Sequence, residues 1–147
     1  MSISRALSAI ALAAILVPPA SAAEPGINIA GQWTFTANLQ LNCDFGGTAH
    51  LTKTADNKYK VELTAQQSCP SLEEDYLVRQ DCVANQFGNQ LSVRCTIAEF
   101  INGFESEFYY PDNFTLTIAS GKRMHGALVS SGNANPAEWK RSEGGIS

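Results

Sequence analysis

No two cysteines in this chain are spaced C-x-x-C, and no basic stripe runs through it. The four cysteines are widely spaced and the two histidines, His50 and His125, stand alone, so zinc sites and dithiol redox sites both lack their motifs. Lys and Arg number 10 against 14 Asp and Glu, a mildly acidic balance that argues against nucleic acid as a partner. Beyond the first residues there is no second long apolar run and no basic amphipathic segment, which argues against membrane insertion. A Gly-rich phosphate loop is also missing, and Gly46-Gly47 reads as a turn between strands. Internal repeats, low-complexity tracts and amphipathic helices are likewise missing, which leaves an all-β reading.

That reading is carried by an alternation without error from Trp33 to Phe45. Trp33, Phe35, Ala37, Leu39, Leu41, Cys43 and Phe45 are apolar, while Gln32, Thr34, Thr36, Asn38, Gln40, Asn42 and Asp44 between them are polar. Period two means a strand with one dry and one wet face, the mark of antiparallel sheets and barrels. The run is long for one strand, so it is either bent or broken by a turn near Asn38. Tyr59, Val61, Leu63 and Ala65 repeat the pattern, as do Phe104, Ser106, Phe108 and Tyr110, then Phe114, Leu116 and Ile118, then Met124, Gly126 and Leu128. Asn133 to Pro136 reads as loop before a short last strand carrying Trp139 and Arg141. Eight to ten strands separated by frequent turn signals predict a small up-and-down barrel or a sandwich. Ile101-Asn102-Gly103 reads as a turn or bulge. Ser71 to Asp75, with its acidic Glu73-Glu74-Asp75, reads as a solvated loop or one helical turn, and no Asp-x-Asp-x-Asp-Gly loop supports calcium there.

The N-terminus has the order of a secretory signal peptide. Arg5 supplies positive charge, Ala6 to Val17 a short apolar stretch, Pro18-Pro19 a break, and Ala20 to Ala23 the small residues for cleavage after Ala22 or Ala23. No Cys stands near that point, so a lipid anchor is not expected. Residues 1–23 are thus expected to be removed, leaving 24–147 as one periplasmic or secreted domain.

In an exported protein four cysteines most economically form two disulfides, in one of three connectivities. Val78 to Ala84 and Leu91 to Ala98 read as a hairpin about Gln86-Phe87-Gly88-Asn89-Gln90, and folding it about Gly88–Asn89 sets Cys82 opposite Cys95. Thr48 to Thr54 and Lys58 to Ala65 flank the turn Ala55-Asp56-Asn57, so Cys43 and Cys69 stand at that hairpin's open ends. The pairing Cys43–Cys69 and Cys82–Cys95 follows.

Gly31-Gln32-Trp33 at the start of the first strand resembles the calycins, the superfamily of lipocalins, avidins and small bacterial metalloprotease inhibitors. The resemblance implies that Trp33 closes one end of the barrel beneath a basic residue near the C-terminus, here Arg141 or else Arg123. With Cys43-Asp44, Cys69 and Phe114-Thr115-Leu116-Thr117, the chain is most similar to the Inh-type protease inhibitors over roughly half the mature sequence. Cys82 and Cys95 depart from that pattern. In those inhibitors the residues ahead of the first strand enter the protease cleft, which here implies Glu24-Pro25-Gly26-Ile27-Asn28; a disordered leader is the competing reading.

Catalytic constellations are not evident. Neither His has a nucleophile or carboxylate motif beside it, all Cys are committed to disulfides, and Glu105 with Glu107 reads as an exposed strand face. The chain is expected to be a non-enzymatic binding protein without metal or cofactor: an inhibitor of secreted metalloproteases, a carrier of a small apolar ligand within the barrel, or an envelope interaction protein. For the carrier, the expected cavity wall is Phe35, Leu39, Tyr59, Phe104, Phe108, Phe114 and Met124, although the same side chains could simply fill the core.

Overall fold

The alternating run breaks where its polar Asn38 meets a turn. In the computed structural model, which describes residues 26–40, 42–103 and 109–142, β1 (Gly31–Asn38) ends there and β2 (Asp44–Ala55) pairs back onto it. The remaining strands are β3 (Lys58–Ser68), β4 (Tyr76–Phe87), β5 (Gln90–Asn102), β6 (Asn113–Ser120), β7 (Arg123–Ser130) and β8 (Asn133–Arg141). Each pairs antiparallel with the next and β8 pairs with β1, giving a closed eight-stranded up-and-down barrel. Closure leaves no edge strand, although β5 beyond Val93 pairs only with β4, and eight strands leave an interior about wide enough for side chains to fill. Among the described residues no helix is long and apolar enough to cross a membrane.

The interior is built from the apolar phase of each strand. Trp33, Leu51, Val61, Leu63, Leu91, Leu116, Met124, Leu128 and Trp139 are all essentially fully buried. Phe35 stacks on Trp139 at 5.3 Å and Phe114 meets the same indole edge-on at 5.0 Å, a geometry that adds roughly 0.5–1.5 kcal/mol per pair beyond area burial. Cys82–Cys95 crosses β4 and β5 at directly opposed register positions, its sulfurs inside the barrel, and Cys43–Cys69 joins the β1–β2 connection to the end of β3.

Several local readings change. Gly46-Gly47 is no turn: both lie within β2, opposite Thr36 and Phe35. A Cβ on Gly47 would strike the Thr64 carbonyl oxygen and come within 2.8 Å of the Phe35 ring, so only glycine fits at this close approach. Asn133 to Pro136 is the start of β8 rather than a loop, with Pro136 opposite Ala127. The β1 ladder ends at Ala37–Ala137, so Pro136 lies just past it, where a missing N–H breaks no ladder bond. The hairpin turns are tighter than expected, Asp56-Asn57 and Gly88-Asn89 alone, because β2 to β5 run further. Ile101 is the extra residue of a bulge and Ala98 of another, each skipped in the pairing of β4 with β5. Ser71 to Asp75 is an irregular loop without a helical turn. Residues 104–108 of the expected Phe104-to-Tyr110 strand lie outside the described residues, and Tyr110 sits in an irregular connection into β6.

The antiparallel order gives the barrel two unlike ends. The tight turns at 56–57, 88–89 and 121–122 share one end with the segment 26–30 that enters β1. The longer connections at 39–43, 69–75 and 103–112, with the turn at 131–132, share the other.

Candidate functional site

The first end is shut. The Trp33 Nε1–H donates to the Ile29 carbonyl at 2.9 Å, and the Arg141 guanidinium lies 4.7 Å from the centroid of the indole ring. The same guanidinium donates through Nε to the Gly121 carbonyl at 2.6 Å, through Nη1 to Ala30 at 2.5 Å and through Nη2 to Asn28 at 2.8 Å. Its planar fork thus latches the entering segment to the β6–β7 turn while capping an aromatic face. Gly31, at φ +122°, leaves room for this: a Cβ there would lie 2.9 Å from Arg141 Nη1. Arg123, the other candidate for this role, instead forms an ion pair with Glu138 at 3.1 Å. Gln86 completes the closure from inside. It accepts from the Tyr59 hydroxyl at 3.1 Å and donates to the carbonyls of Ile27 and Gly88, each at 3.3 Å. Of the expected leader, Gly26, Ile27 and Asn28 are therefore drawn across the closed end, and Glu24 and Pro25 lie outside the described residues.

The second end holds a cavity of about 430 Å³. Leu39, Phe45, Leu72 and Leu128 give it apolar walls, Tyr76, Tyr109 and Tyr110 aromatic ones, and Gln40, Gln67, Ser130, Ser131, Asn133 and Asn135 a polar rim. Asp112 is in the lining yet only 3% exposed. Its Oδ2 accepts from Gln80 Nε2 at 2.6 Å and from the Tyr109 hydroxyl at 2.8 Å, and its backbone N–H donates to Gln80 Oε1 at 2.9 Å. Gln80 is fully buried on the inward face of β4. The Tyr109 ring packs against Tyr76 at 5.2 Å and edge-on against Phe100 at 5.8 Å, which fixes the hydroxyl toward the carboxylate.

Burial is the main cause that pushes the Asp112 carboxyl up to about 6, while the hydrogen bonds from Gln80 and Tyr109 pull it down. Burial first, then the nearby Asp112 charge, raises the Tyr109 phenol, which keeps its proton and remains a donor. A carboxyl raised in the folded state lowers stability as pH rises. Well below pH 3.8 it is neutral in both states; between 3.8 and about 6 the unfolded chain sheds the proton first, and the penalty is complete above that window. A shift of that size corresponds to about 3 kcal/mol. Asp112→Asn keeps an oxygen for Gln80 and Tyr109, so the wild type should lose about 3 kcal/mol relative to this variant between about pH 3 and pH 7.5. Urea unfolding of both proteins at the two pH values measures it, and parallel pH profiles would contradict the assignment.

Of the expected cavity wall, Leu39 is at the mouth. Phe35, Tyr59, Phe114 and Met124 belong to the filled interior, and Phe104 and Phe108 lie outside the described residues. Glu105 and Glu107 lie outside them as well. His50 is half-buried on the outward face of β2 and His125 is exposed on β7. Among the described residues no group of three His, Cys, Asp or Glu could hold a metal ion. Gln80, Tyr109 and Asp112 were not singled out by sequence reasoning, although Gln80 interrupts the inward phase Val78, Cys82, Ala84 with an amide.

The sequence matches no protein-family model and no curated protein. Among solved structures it is similar to a de novo designed fluorescence-activating β-barrel, at 13% identity and a TM-score of 0.56, over 77% of this chain and 93% of that one. A redesigned β-barrel bound to DFHBI is similar at 12% identity and a TM-score of 0.55, over 78% and 94%. The likeness is one of fold.

Proposed function

We propose that the protein is an exported, non-enzymatic barrel that binds a small ligand at its open end. The cavity of about 430 Å³ carries the reading, because it combines apolar and aromatic walls with a convergent buried polar cluster. The designed barrels of similar fold, one fluorescence-activating and one bound to DFHBI, are precedents for such a use. The ligand sits above the packed interior rather than deep within it, since Phe35, Phe114 and Trp139 occupy the barrel's middle. The signal-like N-terminus and the two disulfides support an oxidising compartment.

Protease inhibition is the second reading, motivated by Gly31-Gln32-Trp33, Cys43-Asp44 and Cys69. It ranks lower because Arg141 and Gln86 tie down Asn28 and Ile27, the part of the leader nearest the barrel. One experiment separates the two. Native mass spectrometry of protein recovered from the periplasm should detect a bound small molecule, and Ala134→Trp, which places an indole at the exposed rim of the cavity, should reduce its occupancy at least tenfold. Inhibition of a secreted zinc protease that vanishes on removing residues 24–28, with no ligand retained, would replace this reading by the other.

A further inference from the structure

Both donors that reach the Asp112 side chain, Gln80 and Tyr109, go to Oδ2. Oδ1 takes no hydrogen bond among the described residues, although the residue is 3% exposed and lines the cavity. Among the described residues the cavity lining includes no Lys, Arg or His. A buried carboxylate held by two neutral donors and facing no cation is an incomplete pair, costly to keep and strongly attractive to a positive group that fits. The walls suit such a group. Tyr76, Tyr109 and Tyr110 line the same cavity with aromatic surface, which attracts a cation through its negative ring faces, and Leu39, Leu72 and Leu128 offer apolar contact to whatever carries the charge.

Resting on the proposal that the open end binds a small ligand, we infer that this ligand is an organic cation, an amine on an apolar or aromatic body, whose ammonium group donates to Asp112 Oδ1. An anion would meet the carboxylate with no compensating base, and a neutral ligand would leave the charge unpaired. The rigid Gln80–Asp112–Tyr109 cluster then acts as a preformed receptor, since its own hydrogen bonds already hold the carboxylate in place. The backbone bond from Asp112 to Gln80 ties the acid to β4, so the site need not form on binding.

Three shape-matched probes test this by isothermal titration at pH 7.5: 2-(1-naphthyl)ethylamine, 2-(1-naphthyl)ethanol and 1-naphthylacetate. The amine should bind at least tenfold more tightly than the alcohol, and the acetate more weakly than either. Asp112→Asn should remove the preference for the amine over the alcohol, with the circular dichroism spectrum reporting that the barrel is intact. The selectivity of the wild type stands as a separate measurement if the variant misfolds. Equal binding of amine and alcohol to the wild type would overturn the cation and leave the binding site standing. Binding of none of the three would overturn both.

Discussion

Reducing both disulfides should lower the melting temperature by roughly 20 °C or more, the largest single loss expected for this fold. The two bonds span sequence separations of 26 and 13 residues. On the chain-entropy model loops of that size contribute about 3.5 and 3 kcal/mol by restricting the unfolded chain. Their sum is comparable with the whole stability of many domains of this size, about 5–15 kcal/mol. The two should also differ in access. Cys82 and Cys95 are 3% and 7% exposed inside the wall, whereas Cys43 lies half-buried beside the open end. Mild reductant should therefore open Cys43–Cys69 first, and Cys82–Cys95 should resist until the barrel unfolds. Thermal melts with and without reductant, with peptide mapping of the alkylated thiols, measure both effects. Melting curves that coincide within a few degrees would show that the β ladders alone hold the fold.

The barrel was legible because its signal is short-range. Alternation needs only neighbours two residues apart, and the Cys82–Cys95 pairing needs only a hairpin folded about Gly88–Asn89, a register the structure has. The errors lie where a long-range constraint overrides local punctuation. Gly46-Gly47 looks like a turn because glycines usually mark one, yet here Gly46 yields space to the Phe35 carbonyl and Gly47 to the Phe35 ring of the neighbouring strand. Asn133 to Pro136 looks like a loop because proline lacks a donor, but the limited reach of the β1 ladder makes that donor dispensable.

The candidate site was hidden for a related reason. Asp112 reads as the middle of a Pro-Asp-Asn turn, and Gln80 as one polar residue in an apolar phase, 32 positions away. Only closure of β4 and β5 against the connection leading into β6 brings the amide onto the carboxyl. Tyr109 adds a second donor to Asp112 Oδ2, and Oδ1 is left without a hydrogen bond among the described residues. Aromatic residues were noticed as candidate wall, but those chosen lay mostly on strands, where the interior is packed. The tyrosines that line the cavity come from the first residue of β4 and from the irregular connection before β6.

Trp33→Ala should destabilise the protein by about 3–5 kcal/mol, the usual cost of deleting a fully buried large aromatic side chain. Three losses combine there. The indole leaves a cavity between Ile29 and the barrel interior, its N–H no longer reaches the Ile29 carbonyl, and Arg141 loses the ring it covers. Trp33→Phe keeps an aromatic face but no donor, so it should fall between wild type and alanine. Arg141→Lys should cost less, about 1–3 kcal/mol, because one ammonium cannot serve Gly121, Ala30 and Asn28 together. The latch also makes the two effects interdependent: once Trp33 is gone, Arg141→Lys should cost at least 0.5 kcal/mol less (about that much coupling is expected for residues in contact) than in the wild type. Urea unfolding of the two single variants and the double variant measures that coupling. A loss below about 1 kcal/mol for Trp33→Ala, the range of ordinary surface substitutions, would mean that the closed end does not anchor the barrel.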